Sequence, residues 1–293
     1  MKITVIGSLG NISKPLTQKL IQANHQVTLI SSSSDKSEAI KALGASPAIG
    51  HVNDVHFLTK AFTGADAVYT MIPPHFGAPD FKAYADQIGE VYRQAIKAAN
   101  VKQVINLSSI GSHLSSGTGV ITGIHRAEQQ LNKLEEVNIK HLRSAFFFTN
   151  YYNDINMIKH MNIIGSNYSA ERKMILVHPN DIAEVAFQEI IKPFTGKSVR
   201  YVASDQRTTS EIAGILGKAI GNPELKWVEF ADEQALAGML QAGLPEDIAK
   251  NYIEMGSAVR SGKLFEDYEL NKPALGKTKL EDFAKDFAAK FLN

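Results

Sequence analysis

Short apolar runs alternate with helix-patterned stretches along the first half of the chain. Residues 2–7, Lys2-Ile3-Thr4-Val5-Ile6-Gly7, are nearly continuous apolar, the pattern of a strand buried on both faces. Next, Leu16, Leu20 and Ile21 fall at helical spacing, with Pro15 in the first turn, where a proline is tolerated. Residues 26–31 predict a second strand, and 37–43 a short helix closed by Gly44, the residue favoured at that end. A brief third strand fits 46–50, a helix 55–62, and a fourth strand 65–72, stopped by Pro73-Pro74. A long helix over about 80–100 carries Ile88, Val91, Tyr92, Ala95 and Ile96 on one face. A fifth strand over 103–109, a Gly- and Ser-rich loop over 111–123, a helix over 125–136 and a strand over 139–148 follow. Alternation of this length predicts an α/β fold, a doubly wound parallel sheet with helices on both faces and right-handed crossovers.

Beyond Asn150 the alternation loosens. Residues 151–173 read as helical and then irregular, 174–179 as a strand, 181–191 as a helix, 198–203 as a strand and 210–220 as a helix. The remainder is helix-dominated, broken at Gly221-Asn222-Pro223, Gly243-Leu244-Pro245 and Asn271-Lys272-Pro273. This organisation predicts a larger unit over 1–150, with parts of 174–203 returning to its sheet, and a smaller, mostly helical unit over 151–293 interleaved with it. The length agrees, since 293 residues at about 150 per domain make two.

Composition narrows the chemistry mainly by exclusion. With 44% hydrophobic and 21% charged residues the chain can bury a sizeable core. Lys and Arg number 31 against 30 Asp and Glu, a balance that argues against an electrostatic nucleic-acid binder. The absence of cysteine excludes disulfides, thiolate metal sites, iron–sulfur clusters and cysteine nucleophiles. No apolar run approaches the roughly 18 residues of a membrane span, and the N-terminus enters a strand at once without a signal pattern. A cytoplasmic protein is the expectation. Nine histidines raise the question of a metal, but no ligand cluster at a recognised spacing is present; His51 and His56, with Asn53 and Asp54 between them, make none. No metal site is expected. Ser108 and Ser109 lack the G-x-S-x-G elbow of a hydrolase nucleophile. Asp181, opening a helix after His178-Pro179-Asn180, reads as a structural cap, and Trp227 as packing.

The sharper signal lies between the first strand and the first helix. In Gly7-Ser8-Leu9-Gly10-Asn11-Ile12-Ser13, Gly7 permits a tight turn and Gly10 lets a backbone approach a pyrophosphate. The helix start behind them offers N–H groups and the positive end of its dipole. The spacing is G-x-x-G-x-x-S rather than G-x-G-x-x-G, and an ordinary strand-to-helix turn is the competing reading. The second strand ends in Ser31-Ser32-Ser33-Ser34-Asp35-Lys36, where a dinucleotide fold places the adenosine ribose. Hydroxyls and Lys36, with no early acid, suit a 2′-phosphate better than a ribose diol; a solvated polar loop is the alternative.

These residues, together with LGASPAIGHVND (43–54), GADAVYTMIPP (64–74), VINLSS (104–109), GIHRAEQQL (123–131), HLRSAFFFTN (141–150) and VHPNDIAEVA (177–186), give the chain a resemblance to the NmrA-like family of atypical short-chain dehydrogenases/reductases. The resemblance covers nearly the whole chain. It implies a Rossmann-type domain binding NADP or NAD, with a smaller C-terminal substrate domain closing over the nicotinamide. Carried onto this sequence, Gly7, Ser8, Leu9, Gly10, Asn11 and Ile12 would hold the pyrophosphate, and Ser31, Ser32 and Lys36 would face the adenosine ribose. Met71, Ile72, Pro73 and Pro74 would line the middle of the cofactor, and Ser108, Ser109, Phe146 and Phe147 would lie near the nicotinamide.

Four departures from the family pattern matter. Ser13 replaces a third glycine, which predicts slightly wider helix–sheet packing there. His51 stands where the family usually has an aspartate, and an Arg common at the end of the second strand is missing. The Tyr-x-x-x-Lys pair of ordinary members is also missing. Where atypical members carry a Lys followed three residues later by Glu, this chain has His125-Arg126-Ala127-Glu128. His125 and Glu128 share a helix face, so Glu128 would orient the ring and raise its pKa for proton donation. A contact to the nicotinamide ribose, with the proton then coming from water or from Ser108 or Ser109 as catalytic residues, and a structural histidine are the other readings of His125. The expected function is an NAD(P)H-dependent oxidoreductase, NADP preferred, acting on a small carbonyl or quinone-like molecule, with a non-catalytic NAD(P)-sensing regulator as the alternative. The expected partner is a small-molecule substrate, with no direct nucleic-acid contact and no membrane; a homodimer is left open.

Overall fold

The computed structural model describes residues 1–292. Its first half runs β1 (Lys2–Ile6), α1 (Ser13–Gln22), β2 (Gln26–Ser31), α2 (Ser37–Ala42), β3 (Ser46–Ile49), α3 (Val55–Phe62), β4 (Ala67–Thr70), α4 (Phe81–Ala98), β5 (Gln103–Ser109), α5 (Val120–Asn132) and β6 (Asn138–Ser144). The second half contains β7 (Phe146–Phe147), α6 (Ile155–Met161), β8 (Ile163–Ser166), β9 (Lys173–Val177), α7 (Pro179–Ile191), β10 (Lys197–Val202) and β11 (Asp205–Thr208). It closes with α8 (Thr209–Ala219), β12 (Lys226–Glu229), α9 (Asp232–Gln241), α10 (Glu246–Ser261), α11 (Glu266–Leu270) and α12 (Leu280–Leu292).

Seven strands form one parallel sheet in the order β10-β6-β5-β4-β1-β2-β3. The chain order reverses between β1 and β4, and in such a sheet the ligand crevice opens at the carboxyl ends of those two strands. Alternate strand residues feed two cores, as a sheet covered on both faces requires. Ile3, Val5, Ile105 and Leu142 pack with Leu16 and Leu20 of α1 and Ile182 and Ala186 of α7. Ile6, Val68, Val104 and Ile139 pack with Leu58, Ile88, Tyr92 and Leu131 of α3, α4 and α5. β10, from the second half of the chain, completes the sheet beside β6 with Lys197 opposite Ile139.

Three expectations are corrected here. The strand read over 139–148 is broken at Ala145. β5 ends at Ser109, so β6 has no partner on that side beyond Ser144, and Phe146–Phe147 leave to pair with β9 in a second sheet, β11-β9-β7. The loop read over 111–123 is shorter, because α5 begins at Val120 and ends at Asn132. Gly123 looked like loop composition but lies within the helix, where an added Cβ would sit 3.0 Å from Ala85 Cβ and 3.2 Å from Lys82 Cα. Its missing side chain lets α5 approach α4, as Gly89 does one crossing on, with an added Cβ only 2.7 Å from Ala127 Cα. Finally, Asp181 is not the cap of α7. His178 Nδ1 accepts from the Asn180 N–H at 3.1 Å, while the Asp181 carboxylate accepts from Ser204 Oγ at 2.6 Å and from the Thr278 N–H at 3.2 Å. Asp181 thus anchors the C-terminal segment onto α7.

Strands β8, β11 and β12 were invisible in the sequence pattern. Each is four residues long, and β8 and β12 pair only with one another across some sixty residues of chain. Among the described residues no helix is long and apolar enough to cross a membrane, and no three His, Asp or Glu side chains converge to hold a metal ion.

Candidate active site

The turn after β1 is built around Gly7, at φ +115°, where a side chain would put Cβ 2.2 Å from Ser13 Oγ. That buried hydroxyl donates to the Ile6 carbonyl at 2.8 Å, so Ser13 occupies the space that Gly7 leaves. Ser8 takes a left-handed backbone at φ +54°, uncommon for a non-glycine residue. Its N–H donates to the Ile30 carbonyl at 3.0 Å and its Oγ to Ser31 Oγ at 3.0 Å, tying the loop to the end of β2. Ser31 is buried and committed to this tie, also accepting from the Ser33 N–H at 3.2 Å. Ser32 and Lys36 are exposed beyond it.

The start of α1 is partly closed by backbone: the Lys14 N–H donates to the Gly10 carbonyl at 3.0 Å, and Pro15 has no N–H. The helix has no side-chain cap and no acidic residue in its first turn, whereas Asp54, Asp80 and Thr208 cap α3, α4 and α8. With no side chain and no acid over the positive end of this helix dipole, a phosphate can approach the turn there. Gly10 lies at this mouth, and a Cβ there would come 2.9 Å from the Gly7 carbonyl oxygen. Leu9 is half-buried against the core under α1, Asn11 is exposed and Ile12 is buried. At the end of β4, half-buried Met71 reaches the glycine turn, and its carbonyl accepts from the Tyr92 hydroxyl at 2.8 Å. Ile72 and Pro73 are half-buried and Pro74 is exposed. His51 is exposed in the turn after β3.

At the end of β5 a polar network replaces apolar packing. Ser108, Arg143 and Tyr201 stand abreast on one face of β5, β6 and β10. Arg143 grips Glu128 of α5 with two hydrogen bonds, Nε to Oε1 at 3.1 Å and a terminal nitrogen to Oε2 at 2.8 Å. Glu128 is 1% exposed and Arg143 10% by side chain. Burial works against the Arg143 charge, but the hydrogen bonds and charge of Glu128 outweigh it and hold the guanidinium pKa above its usual range. The other end of Arg143 reaches Asp267 of α11 at 3.2 Å, and Tyr201 donates its hydroxyl to the same carboxylate. One layer below, Thr70 Oγ1 donates to Asn106 Oδ1, Asn106 Nδ2 to His141 Nδ1 at 3.0 Å, and His141 Nε2 to Asn132 Oδ1 at 3.1 Å.

This network changes the picture of the two central residues. Glu128 does not orient His125; its carboxylate is turned to Arg143 and to Ser108 Oγ, which lies 2.5 Å from Oε1. His125, half-buried, instead places Nδ1 2.8 Å from the Ser112 carbonyl oxygen. A carbonyl only accepts, so Nδ1 carries the hydrogen, and Nε2 is the nitrogen left to gain or lose a proton. Ser109 Oγ donates to the Ile110 carbonyl at 3.0 Å. Phe146 and Phe147 are half-buried at the start of the second sheet, Phe146 with its ring 5.4 Å from that of Tyr151.

Arg143, Asn106 and His141 were missed by the sequence reading. The signal was present: His141 and Arg143 are polar residues two apart in one strand, and so share one face. A cavity of about 1460 Å³ between α1, α7, β10 and the 271–278 segment is lined by Arg143 and Asp267 among others, and by no residue of the glycine turn.

The family model for NAD(P)H binding matches residues 7–141. This stretch of the chain is similar to an NAD(P)H-binding domain. Within it fall the glycine turn, the ends of β2, β4 and β5, and His125, whereas Arg143, Phe146 and Phe147 lie just past its limit. A protein of Schizosaccharomyces pombe named only as uncharacterised is 24% identical over 247 residues, covering 76% of this chain and 82% of its own. Among solved structures, triphenylmethane reductase from Citrobacter sp. superposes with a TM-score of 0.81 at 19% identity, covering 99% of this chain and all of that one. An NADPH-dependent quinone oxidoreductase from Escherichia coli, complexed with NADPH, gives a TM-score of 0.82 at 20% identity, covering 97% and 99% of the two chains. At these identities the likeness is one of fold, a Rossmann-type architecture.

Proposed function

We propose that the protein is a cytoplasmic NAD(P)H-dependent oxidoreductase of the NmrA-like branch of atypical short-chain dehydrogenases/reductases, reducing a small carbonyl or quinone-like molecule. The observation that carries this reading is the fixed tautomer of His125 beside the carboxyl end of β5. With Nδ1–H held by the Ser112 carbonyl, protonated His125 presents its second proton at Nε2, which suits donation to the oxygen of a substrate being reduced. In this reading residues 7–12 hold the pyrophosphate at the start of α1. Met71, Ile72, Pro73 and Pro74 line the middle of the crevice, and Phe146 and Phe147 the nicotinamide end. NAD(P)H, when bound, supplies a hydride.

NADP is the preferred form in this proposal. Ser32 and Lys36 lie exposed past β2, and the first acid, Asp35, comes only in the following 3-10 turn. The Escherichia coli neighbour is solved with NADPH and the Citrobacter one with NADP(H), which supports the same choice. We also read residues 1–150 with β10 as the cofactor unit and the rest as the substrate side.

One observation favours the sensor as a second reading: α5 carries no tyrosine, and the Ser108 hydroxyl is committed to Glu128. NADPH consumption with a panel of quinones and aldehydes separates the two, since a sensor binds the dinucleotide without turnover. His125→Gln keeps a hydrogen-bond donor but no titrating group. Turnover should fall by on the order of a hundredfold while NADPH affinity holds, the loss expected for a positioned proton donor. A fall in affinity with turnover per bound cofactor unchanged would make His125 a ribose contact instead.

A further inference from the structure

The Ser108 side chain stands at the carboxyl end of β5, where a hydroxyl would ordinarily be read as a proton donor to substrate. Its hydrogen bonds say otherwise. Ser108 Oγ lies 2.5 Å from Glu128 Oε1 and 3.2 Å from Ser112 Oγ. A hydroxyl has one proton, and a carboxylate only accepts. The Ser108 proton therefore goes to Glu128, the shorter contact, and the Ser112 hydroxyl packs against the Ser108 oxygen at 3.2 Å. Both serines are buried.

The two contacts close a ring of interactions. Ser112 ends the tight turn after β5, its N–H donating to the Ser109 carbonyl at 3.1 Å, and its own carbonyl takes the His125 Nδ1–H. His125 and Glu128 stand one turn apart on α5. The helix thus holds the serine turn through Glu128 and Ser108, and the turn holds the imidazole carried by the same helix. Arg143 keeps Glu128 in place from β6. The neighbouring side chain adds no tether, because both ring nitrogens of His113 are buried without a hydrogen-bond partner.

We propose that Ser108 is a positioning residue: with Ser112 it holds the carbonyl that sets the tautomer and orientation of His125, and it passes no proton to substrate. The assignment rests on the reading of His125 as proton donor, yet the tether itself is testable without turnover.

The experiment uses the full chain with 15N-labelled histidine, in Ser108→Ala and separately in Ser112→Ala. Each variant breaks the tether at a different atom, and Ser112→Ala leaves the Ser108 hydroxyl in place. In both, the His125 Nδ1–H resonance should lose its protection from solvent exchange, and the ring should become a mixture of tautomers. In both, kcat should fall about tenfold to a hundredfold, the effect of misplacing a catalytic group, with the KM for NADPH unchanged. A loss of turnover in Ser108→Ala alone, with the His125 resonance and Ser112→Ala unaffected, would overturn the proposal and make Ser108 the donor. An unaltered His125 resonance in both variants would overturn it as well. Absence of turnover in the wild-type protein would instead strike at the enzymatic reading, leaving the resonance to decide the tether.

Discussion

Replacing Glu128 by Gln removes one charge from a pair that the fold has almost wholly withdrawn from water. The carboxylate is 1% exposed and accepts three hydrogen bonds, two from Arg143 and one from Ser108. The amide keeps the volume but leaves the guanidinium facing a neutral group. Removing one partner of a buried pair costs about 3–5 kcal/mol, because the other charge stays buried without compensation. Asp267, 3.2 Å away but 33% exposed, remains as a partial partner and places the expectation at the lower end, about 3 kcal/mol. Urea unfolding followed by circular dichroism would read this as a midpoint lowered by about 1 M, for a slope of about 3 kcal/mol per molar. Added salt should leave the difference nearly unchanged, since buried pairs are little screened. Two controls sharpen the test. Glu246→Gln breaks the exposed pair with Lys250 on α10 and should leave the midpoint where it was. The double variant Glu128→Leu/Arg143→Met removes both charges and should recover most of the loss. A Glu128→Gln midpoint no lower than that of Glu246→Gln would refute the reasoning, because Arg143 would then not depend on Glu128.

Three further outcomes follow from the geometry. Gly10→Val puts a branched side chain at the mouth of the glycine turn, against the Gly7 carbonyl, and should abolish the stabilisation by NADPH, about 2.7 kcal/mol at a hundred times its Kd. An undiminished thermal shift would remove the loop from the cofactor site. Lys36→Glu should weaken NADP binding more than NAD binding in titration calorimetry, as only NADP carries the 2′-phosphate; equal losses would count against the preference. Burial pushes the Asp154 carboxyl from 3.8 up to about 7, so the native protein keeps a proton there that the unfolded chain releases. That contribution is complete below about pH 4 and is lost as pH rises through 7, so Asp154→Asn should raise the melting temperature most above neutrality. A pH-independent difference between variant and wild type would contradict it.

Local pattern alone carried much of the sheet. The bounds of β2, α3 and β5 coincide with those read from the sequence, because each is a short segment whose burial period and flanking turn residues are written in its own few positions. The glycine turn was legible for the same reason, since Gly7, Gly10 and the helix start are contiguous. Gly123 was misread as loop, for its use is a close approach to Lys82 and Ala85, forty residues earlier, which no local pattern expresses.

The site divides along the same line. His125 and Ser108 were identifiable as residues, yet their partners were not. Spacing one helical turn apart suggested that Glu128 serves His125, while in the fold Glu128 faces Arg143, fifteen residues on, and His125 faces the carbonyl of Ser112. Residue type and period determined which side chains lie on which face of an element. The partner of a buried charge is decided by distance and by which groups lose water together, and those quantities exist only once the strands and helices have packed.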